Sequence, residues 1–97
     1  PANAKTTTQH VLKRAGCSEK NKTVWADVRY TATWLPSQKR WHKQVYSVTR
    51  IKQYGSGWTY MELLLGSDIR PKMSGNKVSF YQSYYPGRTN RICTIAI

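Results

Sequence analysis

Two cysteines, Cys17 and Cys93, stand near opposite ends of a 97-residue chain that otherwise reads as consecutive β-strands. A bridge between them closes a loop with a sequence separation of 76, for which chain entropy gives about 4–5 kcal/mol of stabilisation. That approaches the whole net stability of many small domains, and so short a chain has little other apolar area to bury. The pair shows neither metal-ligand nor redox-dithiol spacing. One structural disulfide, Cys17–Cys93, in an oxidising extracellular compartment is the expectation. Two unpaired thiols in a cytosolic protein are the alternative.

The strand pattern is clearest from Val24 to Trp34. Val24, Ala26, Val28, Tyr30, Ala32 and Trp34 share one face, and Trp25, Asp27, Arg29, Thr31 and Thr33 share the other. Strict alternation over this length marks a half-buried antiparallel strand. Leu35-Pro36-Ser37-Gln38 then reads as a turn. From Lys39 to Lys52 the apolar positions change parity (Trp41, Val45 and Ile51 against Tyr46 and Val48), which points to a β-bulge.

Upstream, His10 to Ala15 forms a short first strand ending at Gly16-Cys17, and Ser18 to Lys22 reads as a loop. Residues 1–9 read as a flexible arm, whose Thr run can add as an edge strand to this or another sheet. Downstream, Tyr54 to Gly57 turns into a strand from Trp58 to Leu65. Met61, Leu63 and Leu65 point inward there, and Tyr60 and Glu62 outward. Pro71 confines residues 69–73 to an edge or irregular run. Ser74-Gly75-Asn76 turns the chain into Lys77–Tyr85, with Val78 and Phe80 facing the core. Pro86 to Asn90 turns it again into Arg91–Ile97, with Ile92, Cys93, Ile95 and Ile97. The whole predicts one all-β domain over residues 10–97, a small antiparallel β-sandwich or small barrel of five to seven strands.

Sixteen Lys and Arg face only Glu19, Asp27, Glu62 and Asp68, for a formal net charge of +12. Such a surplus must face solvent or an anionic partner: nucleic acid, teichoic or phospholipid head groups, acidic polysaccharide or an acidic protein. Lys39, Arg40, Lys43, Arg50, Lys52 and Arg88 are the candidate contacts. Trp25, Tyr81 and Tyr85 are candidate aromatic contacts, since aromatics alternating with cations stack rings while the cations neutralise charge. Trp25 shares a face with Arg29, and Tyr81 shares one with Ser83 and Tyr85. No stretch reaches the roughly 18 apolar residues of a membrane span. Ala2-Asn3-Ala4 has the small-x-small pattern of a signal-peptidase site, and Lys13-Arg14 that of a dibasic processing site.

Enzymatic readings have less material. His10 and His42 are the only side chains that ordinarily titrate near neutrality. A ribonuclease built from His42 and Glu62 with Arg40, Lys43 and Arg50 is conceivable. The bland alternative is a surface histidine and a paired carboxylate. The Cys and His positions have no zinc-site spacing, and no phosphate loop or activated serine appears. No metal or other cofactor is expected.

Cys17, Thr23-Val24-Trp25, a Lys39-Arg40-Trp41 hairpin and the closing Gly87-Arg88-Thr89-Asn90-Arg91-Ile92-Cys93 together resemble small secreted one-disulfide β-sandwich proteins of Gram-positive bacteria, actinomycetes especially. The resemblance covers about residues 17–97 and carries no functional residue over. It implies an adaptor or subunit of a secreted antibacterial or toxin assembly. The expected function is thus a secreted, cationic, non-enzymatic binding protein, engaging another protein of such an assembly or an anionic surface. A cationic antimicrobial or host-directed toxin, a small ribonuclease and a small enzyme inhibitor are the alternatives.

Overall fold

A computed structural model describes residues 6–64, 69–84 and 87–97, without the side chains of Tyr84 and Arg88. The elements run β1 (Thr7–Glu19), β2 (Lys22–Leu35), β3 (Arg40–Tyr54), α1 (Tyr60–Leu64), β4 (Ile69–Ser74), β5 (Lys77–Tyr84) and β6 (Arg88–Ala96). They form two antiparallel three-stranded sheets, β1-β2-β3 and β4-β5-β6. The fold is all-β with six strands, and Cys17 of β1 is bonded to Cys93 of β6, Cα–Cα 5.9 Å. The cystine therefore ties the first sheet to the second.

The alternation of β2 decides the first sheet. Val24, Ala26 and Val28 are fully buried, and Tyr30 and Ala32 nearly so. Trp34, at the end of the same face, is only half-buried. Across the molecule, Ile69, Val78, Phe80, Ile92 and Cys93 of the second sheet join the same apolar cluster, with Trp58 of the connecting segment. Three of the thirteen buried apolar residues are alanines, Ala15, Ala26 and Ala32. Phe80 is the largest of the fully buried side chains.

The parity change in β3 is produced by two register shifts. Pairing passes from Trp25↔Lys52 to Asp27↔Thr49, so Arg50 and Ile51 together face Ala26. It then passes from Arg29↔Ser47 to Tyr30↔Val45, which leaves Tyr46 as an extra residue. Arg50 adopts a left-handed φ of 54° at the first bulge. Beyond the second bulge, Val45 again faces the core.

Pro71 lies in β4, the edge strand of its sheet, where a missing N–H disturbs no interior ladder. The first strand is longer than its sequence suggests. Thr7, Thr8 and Gln9 pair with Trp34, Thr33 and Ala32, so the Thr run is an edge strand of this sheet. The expected 18–22 loop shrinks to a two-residue turn, Lys20-Asn21, with φ of 53° and 64°. Positive φ at both central residues is the geometry that matches strand twist in tight hairpins.

The segment from Trp58 to Leu65 corrects the sequence reading. Tyr60–Leu64 is a short α-helix, with Glu62 buried and Met61 and Leu63 exposed. The cause is local: Glu62 N–H donates to Thr59 Oγ1 at 3.2 Å, and Thr59 N–H donates to Glu62 Oε2 at 2.7 Å. These reciprocal bonds satisfy the first free amides of a helix and outweigh a strand-like alternation. Leu65, Gly66, Ser67 and Asp68 lie outside the described residues, as do Ala2-Asn3-Ala4, Tyr85 and Pro86.

Because one apolar cluster draws on both sheets, Phe80→Ala should cost about 3–5 kcal/mol. Denaturant unfolding followed by tryptophan fluorescence should remain a single transition shifted to lower denaturant. Two separate transitions would show that the sheets have independent cores.

Candidate functional site

The β2–β3 hairpin ends in a turn closed by Gln38 N–H to the Leu35 carbonyl at 3.1 Å. Its last pairs, Trp34↔Trp41 and Leu35↔Arg40, bring two indoles together across the strands. Their ring centroids lie 5.5 Å apart with planes inclined by 58°, a spacing at which aromatic pairs attract. Thr7, opposite Trp34 at the start of β1, completes a shallow open recess with the two indoles. Trp41 is 41% exposed.

A second recess, of about 310 Å³, continues from the first along Arg40, Trp41, His42 and Lys43. Its far wall is the β4–β5 turn and the C-terminal residue, at Gly75, Asn76 and Ile97. That turn is fixed to β3 by the Val45 N–H, which donates to the Gly75 carbonyl at 2.9 Å. The Ile97 N–H donates to the Asn76 carbonyl at 2.8 Å. Gly75 meets the turn's φ of +57°, which glycine adopts without a Cβ penalty. Lys43 lies over the Tyr30 ring, 6.0 Å from its centroid, a cation–π contact on the same strand pair as the two indoles. Arg40 Nε–H donates to Gln38 Oε1. Among the described residues, no ion pair involves Lys39, Arg40 or Lys43.

The remaining candidate contacts are elsewhere. Arg50 and Lys52 lie at the other end of β3, ten and twelve residues from Arg40, which is roughly 33–40 Å along a strand. Arg50 is within 3.8 Å of Asp27, which also accepts from Arg14 at 3.2 Å. Lys52 is opposite Trp25, whose indole covers Gly16 where a β-carbon would collide with the ring. Tyr81 sits in the second sheet, in register between Arg70 and Arg91, and is half-buried. Trp25 and Tyr81 therefore belong to separate sheets. The Arg88 side chain and Tyr85 lie outside the described residues.

His42 and Glu62 are also kept apart. His42 is opposite Thr33 near the hairpin tip, whereas Glu62 is ion-paired with Lys22 at the start of β2. Eleven strand positions separate Lys22 from Thr33, roughly 36 Å. His10 packs edge-on against Tyr46, with ring centroids 6.2 Å apart. Among the described residues, no group of three His, Cys, Asp or Glu is placed to hold a metal.

Glu62 instead anchors α1. Burial acts to raise its pKa, but hydrogen bonds from Lys22 and from Thr59 outweigh this and lower it to about 2. Its backbone carbonyl accepts from Gln53 Nε2 at 3.3 Å and from the buried Gln82 Nε2 at 3.2 Å. Lys22 also lies over the Trp58 ring, 5.5 Å from its centroid. A carboxylate held this firmly ionised is a structural anion, poorly suited to donating a proton.

No protein-family model matches the chain, and no curated protein or solved structure is similar to it.

The lowered Glu62 pKa fixes a pH dependence. The folded state holds fewer protons than the unfolded chain between pH 4.5 and about 2, so stability present above that window is lost on acidification through it. In Glu62→Gln the slope of denaturant midpoint against pH should flatten over this range. An unchanged slope would show that Glu62 does not carry it.

Proposed function

We propose that this chain is a secreted, non-enzymatic binding module. It holds an acidic polysaccharide at the end of its three-stranded sheet, on Trp34 and Trp41 ringed by Lys39, Arg40 and Lys43. In this reading the two sheets stack over their shared core as a small sandwich, which leaves the hairpin end free to project. Support for secretion comes from the cystine, a bond that persists in oxidising surroundings, and from the resemblance to secreted one-disulfide proteins.

The observation that carries the proposal is the division of charge. Among the described residues, every acidic side chain is already paired: Glu19 with Arg91, Asp27 with Arg14 and Arg50, and Glu62 with Lys22. The cations at the hairpin end have no such partner, and they flank an aromatic pair of which Trp41 is exposed and Trp34 half-buried. An indole face takes the apolar face of a sugar ring, and adjacent cations take its carboxylate or sulfate. A single aromatic platform suits one saccharide unit, whereas single-stranded nucleic acid is ordinarily held on several successive platforms along a basic groove. A second reading, an adaptor in a secreted assembly, is favoured by the edge position of β1, onto which a partner strand can add.

Heparin serves as the probe. Wild-type protein should bind it with affinity that falls as salt rises. The triple variant Lys39→Ala, Arg40→Ala, Lys43→Ala should lose at least about tenfold, one factor of ten per 1.4 kcal/mol. Trp41→Ala should weaken binding while leaving its salt dependence intact. Absence of binding, or binding untouched by both variants, would refute the polysaccharide reading and favour the adaptor. Tighter binding of single-stranded DNA than of heparin at equal salt would redirect it to nucleic acid.

A further inference from the structure

The end of the molecule remote from the Trp34–Trp41 pair carries a different surface. On α1, Tyr60 is 75% exposed, Met61 60%, Leu63 55% and Leu64 58%. The remaining residue of the helix, Glu62, is turned inward and neutralised by Lys22, so within the helix no charge interrupts the apolar side chains that face solvent. The helix is not loosely attached. Thr59 caps it, and Gln53 and Gln82 grip its Glu62 carbonyl. Just ahead of it Trp58 is buried, and the Gly57 N–H donates to the Asn21 carbonyl at 2.9 Å. Large apolar side chains are thus held outward on a rigid base, and contiguous exposed patches of this kind mark interaction sites.

The surroundings indicate what covers them. A recess beside Glu62 is lined by Lys20, Lys22 and Arg91, together with Asn90, Ile92 and Glu19. Glu19 is itself paired with Arg91 at 3.5 Å. The chain as a whole carries +12. Four side chains offer a few hundred Å², well below the roughly 800 Å² per partner of a standard protein interface. A lipid surface has no such minimum. Tyr, Met and Leu enter the boundary between head groups and acyl chains. Lys20, which no ion pair occupies among the described residues, and the chain's surplus positive charge meet anionic head groups.

We infer that α1 is an interfacial wedge, by which Tyr60, Met61, Leu63 and Leu64 seat this end of the protein in an anionic lipid bilayer. This surface is separate from the polysaccharide site, and each can be lost without the other. Among the described residues, no helix is long and apolar enough to cross a membrane, and the wedge requires none.

Cosedimentation with vesicles tests the inference, using phosphatidylcholine alone and phosphatidylcholine with about one-third phosphatidylglycerol. Wild-type protein should sediment with the anionic vesicles and stay free of the zwitterionic ones. Leu63→Ala with Leu64→Ala leaves net charge unchanged and should lower the vesicle affinity about tenfold or more. Met61→Ser, on the same exposed surface, should weaken it independently. Retained heparin binding and an unchanged melting temperature would show that both variants are folded. Equal vesicle binding by wild type and both variants would mean that charge alone acts, and would overturn the wedge. So would a wild type that ignores anionic vesicles. A wild type that is dimeric in solution, with the double variant monomeric and neither on vesicles, would show that a second copy covers the helix.

Discussion

The bond between Cys17 and Cys93 is the constraint on which the rest of the architecture depends. Each sheet is a local meander whose strands pair with their sequence neighbours, and such pairings specify nothing about how one sheet meets the other. The cystine fixes that relation covalently, β1 to β6, alongside the shared core, the bond from Val45 to Gly75 and the Glu19–Arg91 pair. The core it closes over is modest, with small residues such as Ala15, Ala26 and Ala32 contributing alongside Phe80 and Trp58. In a chain of this length a covalent restriction on the unfolded state carries weight that a larger core would otherwise supply.

The few carboxylates act as the internal counterpart of that tie. Glu62 with Lys22 seats α1 against the β1–β2 turn, Asp27 gathers Arg14 and Arg50 across three strands, and Glu19 joins β1 to Arg91 of β6. With the described anions occupied, the surplus cations remain outside. Strand alternation leaves Trp41 and Trp25 partly in solvent, whereas Trp58 is buried from the segment that connects β3 to α1. The two ends of the molecule consequently differ in chemistry. One presents indoles among unpaired cations, and the other presents aliphatic side chains on a capped helix.

Much of this was legible in the sequence because it is written at short range. The face of β2, the bulged parity of β3, the edge position forced by Pro71 and the turn at Gly75 each follow from neighbouring residues. The helix was obscured because Met61, Leu63 and Leu65 alternate with Tyr60 and Glu62, which imitates a strand, and five residues are too few to reveal a helical period. Thr59 and Glu62, three apart, carried the opposing signal as a capping box. Of the expected cationic contacts, Arg40 and Lys43 converge on one recess with Trp41. Arg50 and Lys52 do not, since ten and twelve positions separate them from Arg40. The Trp34–Trp41 pair was readable only by hairpin arithmetic, as positions symmetric about the turn at residues 36–39. Which surface Tyr81 would occupy depends on how the sheets meet, and no local pattern encodes that.

The central claim is that one covalent bond stabilises the relation between two sheets, and its most direct test compares oxidised and reduced protein. Alkylation of native protein without reductant should add no mass. Reduction should then lower the unfolding free energy by about 3–5 kcal/mol, read as a shift of the denaturant midpoint. Two thiols that alkylate freely in the native protein, or a midpoint indifferent to reduction, would contradict the account.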